Sequence, residues 1–292
     1  MSLLRSALFR LATSERFERT VRAFPTGESQ AWRAANRYVA GRTRADAWQA
    51  VNRLYARGIG ASVDQFGELI TDAVTADQVA EDYLRLAREL RAQPESVWLS
   101  VDLSHLGLDV SAQRCAEHLT AIAAALPPGR RIQVGAEDYC RADAVLGCVL
   151  AAAGEGQADR LGATLQANLH RSGGDLDRLV DTGVHVRLVK GAYVEPADRA
   201  LPYGEAADVA YLRLAHRLAD SGAEFALATH DGVVREALLS ALGPRQVEQL
   251  LGVRPDVLDD LVSRNVPVRV YVPYGADWFR YWMRRVAEAR GA

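Results

Sequence analysis

The chain has 292 residues, 49% of them hydrophobic, enough to bury a full core as one large domain or two small ones. Its 35 Lys+Arg against 37 Asp+Glu leave a net charge of −2, which argues against a nucleic-acid partner, because such binders carry a basic excess. No apolar run reaches the ~20 residues of a membrane span, and neither the three cysteines nor the six histidines show metal-ligand spacing, so a metal-free protein of the reducing cytoplasm is expected.

The start, "MSLLRSALFRLATSERFERTVRAFP", is amphipathic, with Leu4, Leu8 and Leu11 at helical spacing between arginines. It lacks the long apolar stretch and small-residue cleavage site of a signal peptide. It predicts a terminal helix packed on the body, with peripheral membrane contact as the alternative. Trp32, Ala35, Tyr38 and Val39 then fit one helical face, and Ala47, Val51, Leu54 and Tyr55 another. Gly58 and Gly60 break the pattern, so residues 1–60 are expected to form a helical arm and 61–292 a second unit.

From residue 61 short β-prone runs alternate with amphipathic stretches. The runs are 61–66, 97–103, 131–135, 162–166, 184–189, 225–229, 247–252 and 267–272. The helical stretches include "ADQVAEDYLRLARELRA" and "GEAADVAYLRLAHRLADSG". Such alternation predicts parallel strands joined by crossovers, and eight runs in about 230 residues match the size of a (β/α)8 barrel. A doubly wound sheet is the rival, but no GxGxxG follows a strand. The run at 247–252 also reads as helix.

In a barrel, function gathers at the C-terminal ends of strands. Those ends carry Asp102, Ser104 and His105; Gly135, Glu137 and Asp138; Gln166 and Asn168; Arg187 and Lys190; Thr229, His230 and Asp231; and Tyr271 with Tyr274. Lys190 is the only lysine in the chain. A compact ammonium beside a glycine suits a diphosphate, although a buried salt bridge would also retain a lysine. Near the end, Tyr281, Arg284 and Arg285 fall at i, i+3 and i+4, a face able to grip a carboxylate.

The segments "QFGELITD", "LSVDLSHLGLDVS", "VGAEDY", "GATLQANLHRS", "VRLVKGAYVEP", "LATHD" and "VRVYVPYGADWFRYWMRRVAE", in this order, resemble the proline dehydrogenase family, in its monofunctional bacterial form. The resemblance runs from about residue 60 to 288, more weakly before it. It implies a distorted (β/α)8 barrel holding FAD and oxidising proline, or a proline-like secondary amino acid, by hydride transfer to flavin N5. It places Arg187 at the N5 region. It assigns Ala136, Gln166, Lys190, Gly191, Ala192, Thr229 and His230 to the cofactor, and Tyr271, Tyr281, Arg284 and Arg285 to the substrate. A membrane quinone is the implied electron acceptor.

The chain departs from the family pattern on the substrate side. Asp102 stands where the family has a lysine, Gly135 where it has an aspartate and Asn168 where it has a tyrosine, and "QVEQLL" at 246–251 differs from the usual pattern. Asp102 is therefore a candidate catalytic residue whose carboxylate would repel a substrate carboxylate unless it turns aside. Gly135 leaves a gap on the next strand, and Asp102 is expected to turn into it and pair with Arg187, or to meet a second cationic group on a modified substrate. The alternatives are a divergent flavoenzyme for another amine or modified amino acid, a flavin-binding paralogue without proline oxidation, and an aldolase-type barrel with Lys190 as a Schiff base.

Overall fold

The structure, a computed structural model, describes residues 20, 21, 26–191 and 193–289. The amphipathic start before Thr20 and the cofactor candidate Ala192 lie outside the described residues. Eight parallel strands close into a barrel in chain order. They are β1 Gly60–Gln65, β2 Val97–Val101, β3 Ile132–Val134, β4 Leu161–Gln166, β5 His185–Val189, β6 Phe225–Ala228, β7 Gln246–Leu250 and β8 Val268–Tyr274. Closure of β8 onto β1 excludes the open sheet, and 246–250, ambiguous in sequence, is strand. The described helices are α1 Gly27–Ala35, α2 Arg44–Tyr55, α3 Ala73–Glu89, α4 Ala112–Ala125, α5 Tyr139–Ala152, α6 Ser172–Leu179, α7 Glu205–Ser221, α8 Gly232–Leu242, α9 Leu258–Ser263 and α10 Trp278–Ala289.

Strand period 2 divides each run into two faces. The outward set, including Val63, Leu99, Val134, Leu165, Leu188, Leu227, Val247 and Val270, is buried against the helices and forms the main core. The registers align the other set around the barrel interior: Ser62 with Trp98, Ser100 with Gln133, Thr164 with Arg187, Arg187 with Ala226, and Glu248 with Arg269. This interior is polar and buried. Several loops leaving the C-terminal strand ends finish in a capping side chain: Asp72 accepts from Thr75 N at 2.8 Å, Asp138 from Arg141 N, and Asp231 from Val233 N at 2.9 Å. These caps fix how the rim loops enter their helices.

The N-terminal helices pack on this body. Ala47, Ala50, Val51 and Leu54 of α2 join the main core. Ala31, Ala35 and Val39 form a second cluster with Trp278, Phe279, Tyr281 and Met283 of α10, and Trp32 meets Trp278 edge-on at 5.1 Å. Helix α1 ends at Ala35, so Tyr38 and Val39 lie beyond it, and Tyr55 is 56% exposed rather than on the apolar face. The aromatic cluster holds α10 at the barrel mouth, where β8 delivers it.

Candidate active site

Arg187 is buried in the barrel interior, and its Nε donates to Glu248 Oε2 at 2.5 Å. The pair reaches across β6, where the residue in register with Arg187 is Ala226, whose methyl leaves the passage open. Glu248 also accepts from Gln246 Nε2 at 2.9 Å. Burial alone would raise the Glu248 carboxyl; Arg187, His185 and Arg269 outweigh it and hold it below its ordinary value. Glu248 is therefore an anion that fixes Arg187. The Nη2 of Arg187 remains buried without a hydrogen-bond partner among the described residues.

A cavity of about 260 Å³ opens between the ends of β1, β2 and β8 and helix α10, lined by Asp64, Glu68, Asp102, Tyr271, Tyr281 and Arg284, among others. Asp64, on β1, accepts from Tyr83 and Tyr271 hydroxyls at 2.7 Å each. Burial pushes its carboxyl up to about 7, against the pull of the two tyrosines and Arg187. Arg284 donates to Glu68 Oε2 at 3.0 Å. The Tyr281 ring lies 5.1 Å from Phe66 and 6.0 Å from Tyr271, and Arg285 stacks 4.9 Å over it. The paired arginines thus diverge: Arg284 faces the cavity and Arg285 the Tyr281 ring.

Asp102 does turn toward Gly135, as expected, for a methyl group built on Gly135 would overlap Asp102 Oδ1. It does not pair with Arg187, whose carboxylate partner is Glu248. Burial, with the Glu137 and Asp64 carboxylates nearby, raises Asp102 well above the ordinary range, and Arg284 only partly offsets this. A shift in this direction favours the protonated carboxyl, which would not repel a substrate carboxylate.

The cofactor candidates line the neighbouring strand ends. Gln166 Nε2 donates to Glu137 O at 2.8 Å, and Glu137 Oε1 accepts from Ser104 N at 2.9 Å. Ala136 O accepts from the Tyr193 hydroxyl at 3.0 Å, and Thr229 Oγ1 accepts from Asp231 N at 3.2 Å. Burial, aided by Arg285, lowers His230 to about 4, so its ring is neutral. Gly191 can carry no side chain, since a methyl there would overlap the Asn168 amide. Lys190 is not an open cation: its Nζ lies 2.5 Å from Asp208 and 2.7 Å from Asp231. Burial would lower it, but the two carboxylates raise it, which suits an ion-pair anchor and not a Schiff-base nucleophile. The retained lysine thus pins the loop after β5 to α7 and to the cap of α8.

The pattern of unmatched polar atoms fits a flavin. Asn168 Oδ1, just after β4, and Arg187 Nη2, on β5, are buried without partners among the described residues, and beyond them His230 and Gln249, at the ends of β6 and β7, interact with each other. Buried polar atoms left open at neighbouring strand ends suit a ligand rich in hydrogen-bonding ring atoms. The sequence reading had passed over Asp64, Glu68, Glu248 and Gln249. The available signal was an acid at an inward position of a strand, as in "SVD" and "QVE".

The proline dehydrogenase family model matches residues 47–292. The proline dehydrogenase of Deinococcus radiodurans is 34% identical over 297 residues, covering 98% of this chain and 94% of the relative. Proline dehydrogenase 1 of Bacillus subtilis is 33% identical over 262 residues, covering 87% and 86%. Among solved structures, proline utilization A of Bdellovibrio bacteriovorus, inactivated by N-propargylglycine, superposes with a TM-score of 0.81 at 17% identity, over 98% of this chain and 36% of that one. The corresponding protein of Bradyrhizobium japonicum, as its D779W mutant, gives 0.76 at 20% identity, over 91% and 32%. The chain spans about a third of these two longer proteins, and at such identity they speak for the barrel alone. With the family model covering most of its length and a relative 34% identical from end to end, the chain belongs to the proline dehydrogenase family.

Proposed function

We propose that the chain is an FAD-dependent dehydrogenase that oxidises proline, or a proline-like secondary amino acid, to the cyclic imine. The observation that carries this reading is Arg187: a buried guanidinium locked by Glu248, with one nitrogen unmatched, and near enough to pull down the carboxyl of Asp64, which lines the cavity. FAD, when bound, supplies the two-electron acceptor for the hydride. Gln166, Gly191, Thr229 and His230, with Ala136 and Ala192, would hold it, and Lys190 would secure the loop that carries Gly191 and Ala192. Arg187 would present its free Nη2 donor to the flavin, where a fixed positive charge favours the electron-rich reduced form.

Arg284 binds the substrate carboxylate in this reading. Tyr271, Tyr281 and Phe66 form an aromatic wall that excludes water from the ring, and Arg285 steadies Tyr281. Electrons would pass on to a membrane quinone, with the protein at the cytoplasmic face of the membrane in peripheral contact. No helix among the described residues is long and apolar enough to cross a membrane. The test is the visible spectrum of the purified protein: flavin bands are expected, bleaching on anaerobic addition of L-proline. A colourless protein that also fails to take up added FAD refutes the proposal.

A further inference from the structure

The Asp102 carboxyl opens on the cavity and has no hydrogen bond among the described residues. Its direction is set from the adjacent strand end, since it occupies the space that a side chain at Gly135 would fill. The groups facing it are Asp64 from β1, Glu68 from the loop after β1, Glu137 from the loop after β3, Tyr193 from the loop after β5, Tyr271 from β8 and Arg284 from α10. Among these Arg284 is the cation, and Glu68 already pairs with it; Asp277, Arg280 and His105 also line the cavity. An ionised Asp102, itself half-buried at the cavity wall, would add a further carboxylate beside one matched guanidinium, and desolvation works in the same direction.

We propose that Asp102 is a specificity-determining residue that grips the substrate carboxylate as a neutral carboxylic acid, its O–H donating alongside Arg284, and that Gly135 is the vacancy that lets it stand there. The proposal rests on the reading that the cavity takes an amino acid. No proton is transferred: the hydroxyl donates and the proton stays on Asp102. An acid used in this way behaves unlike a cationic clamp. Its grip disappears when it ionises, so carboxylate binding weakens as pH rises. If one proton must be retained for binding, affinity falls about tenfold per pH unit above the pKa of Asp102.

The test uses the purified holoprotein and two probes that divide proline's chemistry. Cyclopentanecarboxylate keeps the ring and carboxylate without the amine; pyrrolidine keeps the amine without the carboxylate. Calorimetric titration from pH 6 to 10 should show tighter binding of cyclopentanecarboxylate than of pyrrolidine at pH 7, with the acid's affinity falling steeply at the alkaline end. Asp102→Asn, which keeps a donor but cannot ionise, should bind the acid with a flat pH profile. Gly135→Ala, which expels the carboxyl from its place, should weaken acid binding at least tenfold, with flavin content and melting temperature confirming that each variant is folded. Infrared difference spectra of the native protein should show a protonated-carboxyl band lost on alkalinisation and missing in Asp102→Asn. The inference is overturned by pH-independent acid binding in the native protein, by no acid binding at any pH, by preference for pyrrolidine, or by a pH slope that survives in Asp102→Asn. A protein that shows the predicted acid profile yet is not bleached by L-proline would refute the reaction and keep the role of Asp102. One that is bleached by proline but binds the acid equally at every pH would do the reverse.

Discussion

Replacing Glu248 by Gln would break the electrostatic frame that positions Arg187. Glu248 is 5% exposed and offsets the charges of Arg187 and Arg269, both buried. Arg269 donates to Ala61 O at 2.8 Å and Ser96 O at 2.7 Å, and burial already pulls its guanidinium down to about 9, with Glu248 the anion that opposes this. A glutamine preserves the shape and one acceptor but removes the charge. Breaking a buried pair by deleting one partner costs about 3–5 kcal/mol. In a domain of this size each kcal/mol moves the melting temperature by about 2–4 °C, so a fall of roughly 6–20 °C is expected. Scanning calorimetry on the native protein, Glu248→Gln, Arg187→Met and the double variant, at one pH and salt concentration, completes a double-mutant cycle. The double variant should recover part of the loss, with a coupling of about 2 kcal/mol or more, because it leaves no unmatched charge at position 187. A fall below about 2 °C in Glu248→Gln, or strict additivity of the two single changes, would refute a buried, mutually dependent pair.

Three further outcomes follow from the same geometry. Arg284→Met should raise the apparent KM for proline at least tenfold with flavin content unchanged, by steady-state kinetics and absorbance; equal losses of both would make Arg284 structural. Lys190→Ala should lower stability by about 1–3 kcal/mol and reduce flavin retention after gel filtration, because Asp208 and Asp231 are left facing each other and the loop after β5 loses its anchor. Asp64→Asn should become relatively more stable than the native protein as pH rises. The folded Asp64 carboxyl is raised to about 7, so the native state holds a proton that the unfolded chain releases near pH 4, and stability is lost as pH climbs through that window. The advantage of the variant should grow by about 2–3 kcal/mol between pH 5 and pH 8.5, and a pH-independent difference would show that Asp64 is ionised in the fold.

Strand positions, barrel class and most of the rim were legible in the sequence, because they depend on local pattern. A buried strand declares itself by a short β-prone run, and a crossover helix by its 3.6-residue period, so all eight strands begin and end within two residues of their runs. The same periodicity placed Arg187, Gln166, Thr229 and Tyr271 at the C-terminal end of the barrel. Charge partnership was not legible, because it joins residues far apart in the chain. Arg284 meets Glu68 across 216 positions and Arg187 meets Glu248 across 61, and no local pattern encodes either distance. Lys190 shows the difference most plainly. Its uniqueness in the sequence marked it as special, yet only the fold put two carboxylates beside it and made it an anchor. Asp102 shows the same for protonation. The sequence supplied an acid and, 33 residues on, a glycine; pairing of β2 with β3 brought the half-buried carboxyl into the glycine's space, among other acids, and those surroundings push it toward the neutral form.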